Sequence, residues 1–316
     1  SRMTDLGLRS KEQDAAAVLE QLTLKEKISL CSGKDLWHLK GINRLNIPPV
    51  VLTDGPHGVI KRDSRGLLKG RVKATSFPTA SALASGWDLD LVKRVGVALG
   101  KECVAEDVAV LLGPGMNIKR HPCCGRNFEY FSEDPYLTGK LGAALIAGIQ
   151  SEGVGACIKH ICVNNQEYDR LRLDTLVDER TLREIYLRGF EMAIRESQPW
   201  TIMCAYNKLN GVYCSEHDRL WDVILRKEWG FEGVVMTDWG ATNDRVKGIV
   251  SGVDLEMPGS CGVHDAEIKA SLKKGGALTM EQLDRTVHRN LSLSLLGMDA
   301  QDRQIRVDFE AHHALS

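Results

Sequence analysis

With 316 residues, 43% of them hydrophobic and 26% charged, the chain has an ordinary globular composition and can bury a large core, as one barrel or two smaller domains. Its formal net charge of −1 excludes the basic field that nucleic acid or an anionic membrane surface would call for. No apolar run approaches the ~20 residues of a membrane span and no signal-peptide core opens the chain, so a cytoplasmic location is expected.

Ser1-Arg2-Met3 reads as an expression remnant ahead of a natural start at Met3. Ser10 to Leu22 is predicted to be a helix, and Thr23-Leu-Lys-Glu26 is a capping-box pattern opening a short second one. Pro48 to Asp54 is an apolar strand that stops in a carboxylate, and the basic, glycine-bearing stretch from Arg62 to Lys73 is a loop. Asp88 caps a helix running to about Glu106, with Val92, Val95 and Leu99 at helical spacing. Val108-Ala-Val-Leu-Leu112 is the next strand, and the polar stretch Asn117 to Pro135 is long enough to suggest a functional loop.

A helix from Pro135 to Gln150 leads to the strand Gly153 to His160. Asp178 to Ser197 is helical, with Leu182, Ile185, Tyr186, Phe190 and Ile194 on one face. Trp200 to Asn207 is a strand, Asp218 to Trp229 a helix, Gly233 to Asp238 a strand, and Asn243 to Ser251 a helix. Val253 to Pro258 is a last strand, with helices at about 264–274 and 280–297. Strand and helix alternate throughout, without repeats, which predicts an α/β fold of the (β/α)8 TIM-type barrel. A doubly wound sheet ranks second, because no glycine-rich phosphate pattern follows any strand.

Nine cysteines, none in a CxxC pair, read as buried free thiols; neither a metal site nor a cofactor is expected. The charges gather where strands stop: Asp54; the loop with Arg120, Arg126, Glu129, Glu133 and Asp134; Lys159-His160; Tyr206-Asn207; Asp238-Trp239; and Glu256. Any one of these could be a helix cap or a solvated end, but a barrel brings them to one mouth. Acceptors, donors and an indole face together suit a polyhydroxylated ligand.

Thr53-Asp-Gly-Pro-His-Gly58, Gly125-Arg-Asn-Phe-Glu-Tyr-Phe-Ser-Glu-Asp-Pro135, Lys159-His160 followed by Asn164-Asn-Gln166, and Val235-Met-Thr-Asp-Trp239 resemble glycoside hydrolase family 3 in its β-glucosidase branch. The resemblance runs from about residue 20 to the end. It implies an N-terminal barrel and retaining hydrolysis of terminal non-reducing β-D-glucosides, the substrate being a small β-linked saccharide or aryl glycoside. Asp238 matches the nucleophile. Asp54, Arg126, Lys159, His160, Arg170 and Tyr206 match the residues that hydrogen-bond the sugar next to the scissile bond, and Trp239 matches the aromatic that walls it. Opposite charge from Lys159, His160 and Arg126 would keep Asp238 ionised.

In that branch the acid/base is typically a Glu on a second domain after the barrel. The expected organisation is therefore a leader helix over 1–22, the barrel over 23–300, and over 301–316 the start of a linker to that domain. The usual acid would then be missing, and the surface left beside the mouth would favour self-association. A shorter branch uses a His-Asp pair on a barrel loop, a motif this chain lacks. Two other readings remain open: a sugar-binding barrel with little turnover, and a Schiff-base aldolase using Lys159, which would need a desolvated lysine isolated from carboxylates.

Overall fold

A computed structural model describes residues 8–62 and 70–316. Ser1-Arg2-Met3 and residues 63–69 of the basic loop lie outside that range. The strands are β1 (Leu52–Asp54), β2 (Val110–Leu112), β3 (Gly155–Ile161), β4 (Asp174–Thr175), β5 (Thr201–Cys204), β6 (Lys208–Leu209), β7 (Val212–Tyr213) and β8 (Val234–Thr237). Five of them form a parallel sheet in the order β1-β2-β3-β5-β8, and β4-β6-β7 make a small second sheet. Consecutive sheet strands are joined by helical crossovers, such as 89–105 between β1 and β2 and 135–151 between β2 and β3.

The period of two along each strand separates two cores. Leu52, Val110, Leu112, Cys157, Met203 and Met236 belong to one cluster, inside the curved sheet. Leu111, Ala156, Ile158, Ile202, Cys204 and Val235 belong to the other, packed under the helices. A strand buried on both faces reads as an unbroken apolar run, which is why each was visible in the sequence.

Between β8 and β1 the circuit continues through single bridges. Met236 pairs with Leu255, Glu256 with Ser32, Gly33 with Leu39 and His38 with Val51, the last two antiparallel. This is a TIM-type α/β barrel with an irregular arc, and the strand expected over 253–258 is reduced to bridges. The reason is local. The Asp254 carboxylate accepts the Val235 N–H at 3.0 Å, and Pro258 has no N–H to offer. Side chains replace the ladder: Arg245 donates to the carbonyls of Cys31, Val253 and Asp254, and Asn290 to those of Leu30 and Asp254.

The expected helices form, with one change of face, and two more appear: Ala80–Ser85, and Phe309–Leu315 within the stretch expected to be a linker. Thr23 and Glu26 make the expected capping box and Asp88 the expected cap. The 179–197 helix widens over Leu182–Tyr186, where Leu187 N–H reaches back to Leu182 O at 2.9 Å. That extra residue rotates the face, so Leu187 is buried while Ile185, expected inside, is exposed. No helix among the described residues is long and apolar enough to cross a membrane.

Asp254, fully buried, takes Arg226 Nη2 at 2.8 Å on one oxygen and Arg289 Nη1 at 3.0 Å on the other. Removing one partner of such a buried ion pair leaves the others uncompensated. Asp254→Ala is expected to lower unfolding stability by roughly 3–5 kcal/mol in urea denaturation. An unchanged midpoint would show that the arc does not depend on this carboxylate.

Candidate active site

The C-terminal ends of the parallel strands place the charges. Asp54 closes β1, and the chain then turns sharply through Gly55 at φ 123°, where a Cβ would stand 1.9 Å from Gly58 O. Lys159 and His160 sit on β3. The segment after β2 pins them there: Met116 N–H donates to Lys159 O at 2.7 Å, and the Asn117 amide exchanges two hydrogen bonds with the His160 backbone. Tyr206 follows β5, and Asp238 and Trp239 follow β8.

A row of alternating charge crosses the mouth. Asp54 Oδ1 lies 2.9 Å from Lys159 Nζ, and Lys159 lies 3.8 Å from Glu129 Oε2. Glu129 Oε1 accepts from Arg126 Nε at 2.5 Å, and Arg126 Nη1 lies 3.8 Å from Asp238 Oδ2. Burial works to discharge Lys159, but Asp54 and Glu129 outweigh it and hold its pKa above the ordinary lysine value. A lysine so paired is a firm cation and a poor Schiff-base nucleophile, which rules out the aldolase reading. Asp54 is held below the usual carboxylate range, because Lys159, with help from Gly55 N–H and Arg126, overcomes its own burial.

Asp238 departs from expectation. Burial raises its carboxyl pKa despite the pull of Arg126 and Lys159. His160 does not supply the third cation, since burial, reinforced by Arg126 and Lys159, drives its pKa well below the ordinary value and leaves it neutral. Its orientation is set by a relay in which Asn164 Nδ2 donates to Tyr130 Oη at 3.1 Å and Tyr130 Oη lies 3.1 Å from His160 Nδ1. With Tyr130 donating onward, the imidazole proton is assigned to Nε2, 3.4 Å from Asp238 Oδ2. Asp238 Oδ1 accepts Trp239 N–H at 2.7 Å, while Oδ2, though buried, has no hydrogen-bond partner among the described residues.

Aromatic groups wall the opening. Trp239 is held by Nε1–H to Leu36 O at 2.8 Å, and its ring lies 5.5 Å from that of Trp37. Tyr206 Oη donates to Trp239 O, and Arg170, paired with Glu167, lies over the Tyr206 ring. The cleft beside the row has a volume of about 510 Å³ and is lined by Asp54, His57, Arg126, Phe128, Glu129 and Arg170 among others. A hollow of about 390 Å³, lined by Gln150, Trp200 and Gly233, opens at the other ends of the strands, away from these charges.

All eight residues singled out from the sequence thus lie around one mouth. Of the other strand-end charges, Asp134 is a helix cap and Glu256 is paired with His264 at 2.5 Å. The sequence showed Glu129 only as a strand-end charge, and gave no role to Tyr130, Trp37 or Asn117. Glu129 and Tyr130 sit in the 125–135 motif, where an acid three residues from Arg126 was the available signal. Among the described residues no group of three or more His, Cys, Asp or Glu could hold a metal ion.

The chain is similar to known proteins over most of its length. The chain is 52% identical over 306 residues to thermostable β-glucosidase B of Acetivibrio thermocellus, covering 96% of this chain and 40% of that protein. It is 48% identical to an exo-α-(1→6)-L-arabinopyranosidase of Bifidobacterium breve, covering 87% of this chain and 36% of that one. The structure of β-glucosidase 3B from Thermotoga neapolitana in complex with glucose superposes with a TM-score of 0.90 at 42% identity, over 95% of this chain and 45% of that one. The chain therefore spans less than half the length of each of these relatives. The profile of the glycosyl hydrolase family 3 N-terminal domain matches residues 33–293, and the chain belongs to that family.

Proposed function

We propose that this chain carries the nucleophile and the glycone subsite of a retaining β-glucosidase. The observation that carries the reading is the Asp238 carboxylate, with one oxygen fixed by Trp239 N–H and the other buried, unpartnered and facing Arg126 and His160. In such a site Oδ2 attacks the anomeric carbon as the bond to the leaving oxygen breaks, giving a glycosyl ester that water then hydrolyses. In this reading Asp54, Lys159, Arg126 and His160 bind the ring hydroxyls, and the Trp37–Trp239 pair packs on an apolar sugar face. The β-glucosidase names of the matched relatives support the glycone.

Protonation of the leaving oxygen is the step these residues support least. Glu129 is committed to Arg126 and Lys159, and Glu256 to His264. Neither is placed as a general acid. A pentopyranoside is the second glycone reading, because two relatives at 48% identity are named arabinopyranosidases. Nitrophenyl α-L-arabinopyranoside belongs beside the glucoside in any substrate panel. A sugar-binding barrel without turnover is the non-enzymatic alternative.

A mechanism-based 2-fluoroglucoside is expected to label Asp238, detected by peptide mass, and Asp238→Asn to abolish both labelling and turnover. The same substitution should leave the melting temperature unchanged or higher. A carboxyl whose pKa is higher folded than unfolded costs stability as pH rises from its unfolded towards its folded pKa, and a neutral amide avoids that cost. Sugar binding with no label would favour the binding-only alternative.

The pH dependence follows from the same groups. Asp238 must be ionised to attack, so kcat/KM is expected to fall on acidification at a pH above that of an ordinary aspartate. Arg126 favours the ionised form, and Arg126→Gln should move this acid limb to higher pH. An unmoved limb would place the titrating group elsewhere.

Assistance by a general acid is worth roughly 10²–10⁴-fold. The isolated chain should therefore cleave nitrophenyl β-glucoside, whose leaving group needs little protonation, far faster than cellobiose. Azide, which needs no base, should speed release of the glycosyl ester as glycosyl azide. Equal rates on both substrates without an azide effect would mean that the chain carries its own acid.

A further inference from the structure

One wall of the cleft is the segment 70–77, which contributes Arg71, Val72, Ala74, Thr75 and Ser76 to its lining. It has no regular secondary structure, so its position must be set by specific contacts. Its start pairs with residues 61–62, through the Arg62–Arg71 bridge and Val72 N–H donating to Lys61 O at 3.0 Å, and the remaining contacts lie on its back. Thr75 N–H donates to Glu102 Oε2 at 2.9 Å, and Glu102 is buried on the helix Leu89–Ala105. The other oxygen, Oε1, lies 2.7 Å from His312 Nδ1, also buried, on the last helix, Phe309–Leu315.

That last helix touches the wall at three further points. Ser316 Oγ donates to Ser76 O at 3.0 Å, the Lys73 ammonium lies 4.4 Å from the Phe309 ring centre, and the His312 ring lies 6.1 Å from that of Phe77. Phe77 N–H in turn donates to the carbonyl of His57, itself a lining residue. Asp308 caps the helix, and Leu315 packs on the main core, to which Phe77 of the wall also belongs. Residues of the wall therefore face the cleft on one side and the C-terminal helix on the other.

We infer that residues 308–316 act as a clamp on the cleft wall, with Glu102 and His312 as positioning residues for ligand binding. The inference rests on the glycosidase reading of that cleft. A buried carboxylate bonded to one backbone amide and one imidazole has nothing to exchange for a lost partner, so truncating His312 should free Thr75 and its neighbours. Asp54, Lys159 and Asp238 are tied to other elements and keep their places, so the effect should fall on binding rather than on the bond-breaking step. Glu102→Gln should retain the wall: its amide oxygen can still accept from Thr75 and its NH₂ can donate to a neutral imidazole.

The test compares His312→Ala, Phe309→Ala and Glu102→Gln with the wild type, using nitrophenyl β-glucoside and limited trypsin digestion. In His312→Ala, KM should rise roughly tenfold with kcat nearly unchanged, as expected for one lost charge-assisted contact. Trypsin should cut faster after Arg71 and Lys73, and Glu102→Gln should behave as wild type in both assays. A lower melting temperature with unchanged KM and unchanged cleavage at Arg71 and Lys73 would overturn the clamp. Faster cleavage with unchanged KM would also overturn it, since the wall would move without mattering to the ligand. If His312→Ala does not fold, Phe309→Ala carries the same comparison: a raised KM with faster cleavage supports the clamp, and an unchanged KM overturns it. If the wild type cleaves no glycoside, the glycosidase reading fails while trypsin still reads the clamp, faster cleavage in the variant supporting it and equal rates overturning it.

Discussion

Charge alternation across a largely buried mouth is the constraint on which the rest of this barrel depends. Asp54, Lys159, Glu129, Arg126 and Asp238 follow one another with the sign changing at each step. Taking one such ion out of water costs several kcal/mol, while an opposite charge about 4 Å away returns roughly 4 kcal/mol at an effective dielectric constant near 20. The two are close enough that a deeply buried member is not secure with a single partner, whereas Asp54, with its side chain about half exposed, keeps its charge with one. Lys159 and Glu129, each about 5% exposed or less at the side chain, have two. Asp238, at the end of the row, has one at 3.8 Å, and it is the member whose charge is least favoured.

Holding such groups in register demands a rigid frame; Arg126 and Glu129 come from the segment after β2, and the barrel is regular where the other three attach. Asp54, Lys159 and Asp238 come from the hydrogen-bonded ladder β1-β2-β3-β5-β8 or the residue just after it. The irregular arc closes the ring between β8 and β1, where Ser32, Leu39, Leu255 and Glu256 make single bridges. There the frame is held by buried side chains instead, with Arg245 and Asn290 bonded to carbonyls of both segments. Ladder hydrogen bonds thus hold the strands that carry Asp54, Lys159 and Asp238, and side-chain chemistry completes the circuit between β8 and β1.

Much of this was legible in the residues. Strands buried on both faces appear as apolar runs, and Asp54, Lys159-His160 and Asp238 were visible as charges where those runs stop. The irregular arc was not legible, because Val253-Asp-Leu-Glu-Met-Pro258 alternates like a strand while its Asp254 side chain takes the place of a carbonyl. Nor was the neutrality of His160, which depends on complete burial beside Lys159 and the sequence-distant Arg126. Ile185 was misplaced for a different reason, since one added residue in a helical turn rotates every later position and leaves the composition unchanged. Glu129 was seen as a strand-end charge, but its part in the row depends on a contact with Lys159, which comes from a different strand.

Two aspartates share this mouth, and their environments separate them. Asp54 sits low in pKa with Oδ1 in contact with both Lys159 and Gly55 N–H, which suits an acceptor for hydroxyls that stays ionised throughout. Asp238 sits high, with its free oxygen facing a neutral imidazole and a guanidinium at 3.4 and 3.8 Å. A carboxylate that is costly to keep ionised and short of hydrogen bonds has the most to gain from forming a bond to carbon, because the ester it becomes carries no charge to desolvate. That difference, rather than proximity to cations, is the physical ground for proposing attack by Asp238 and binding by Asp54.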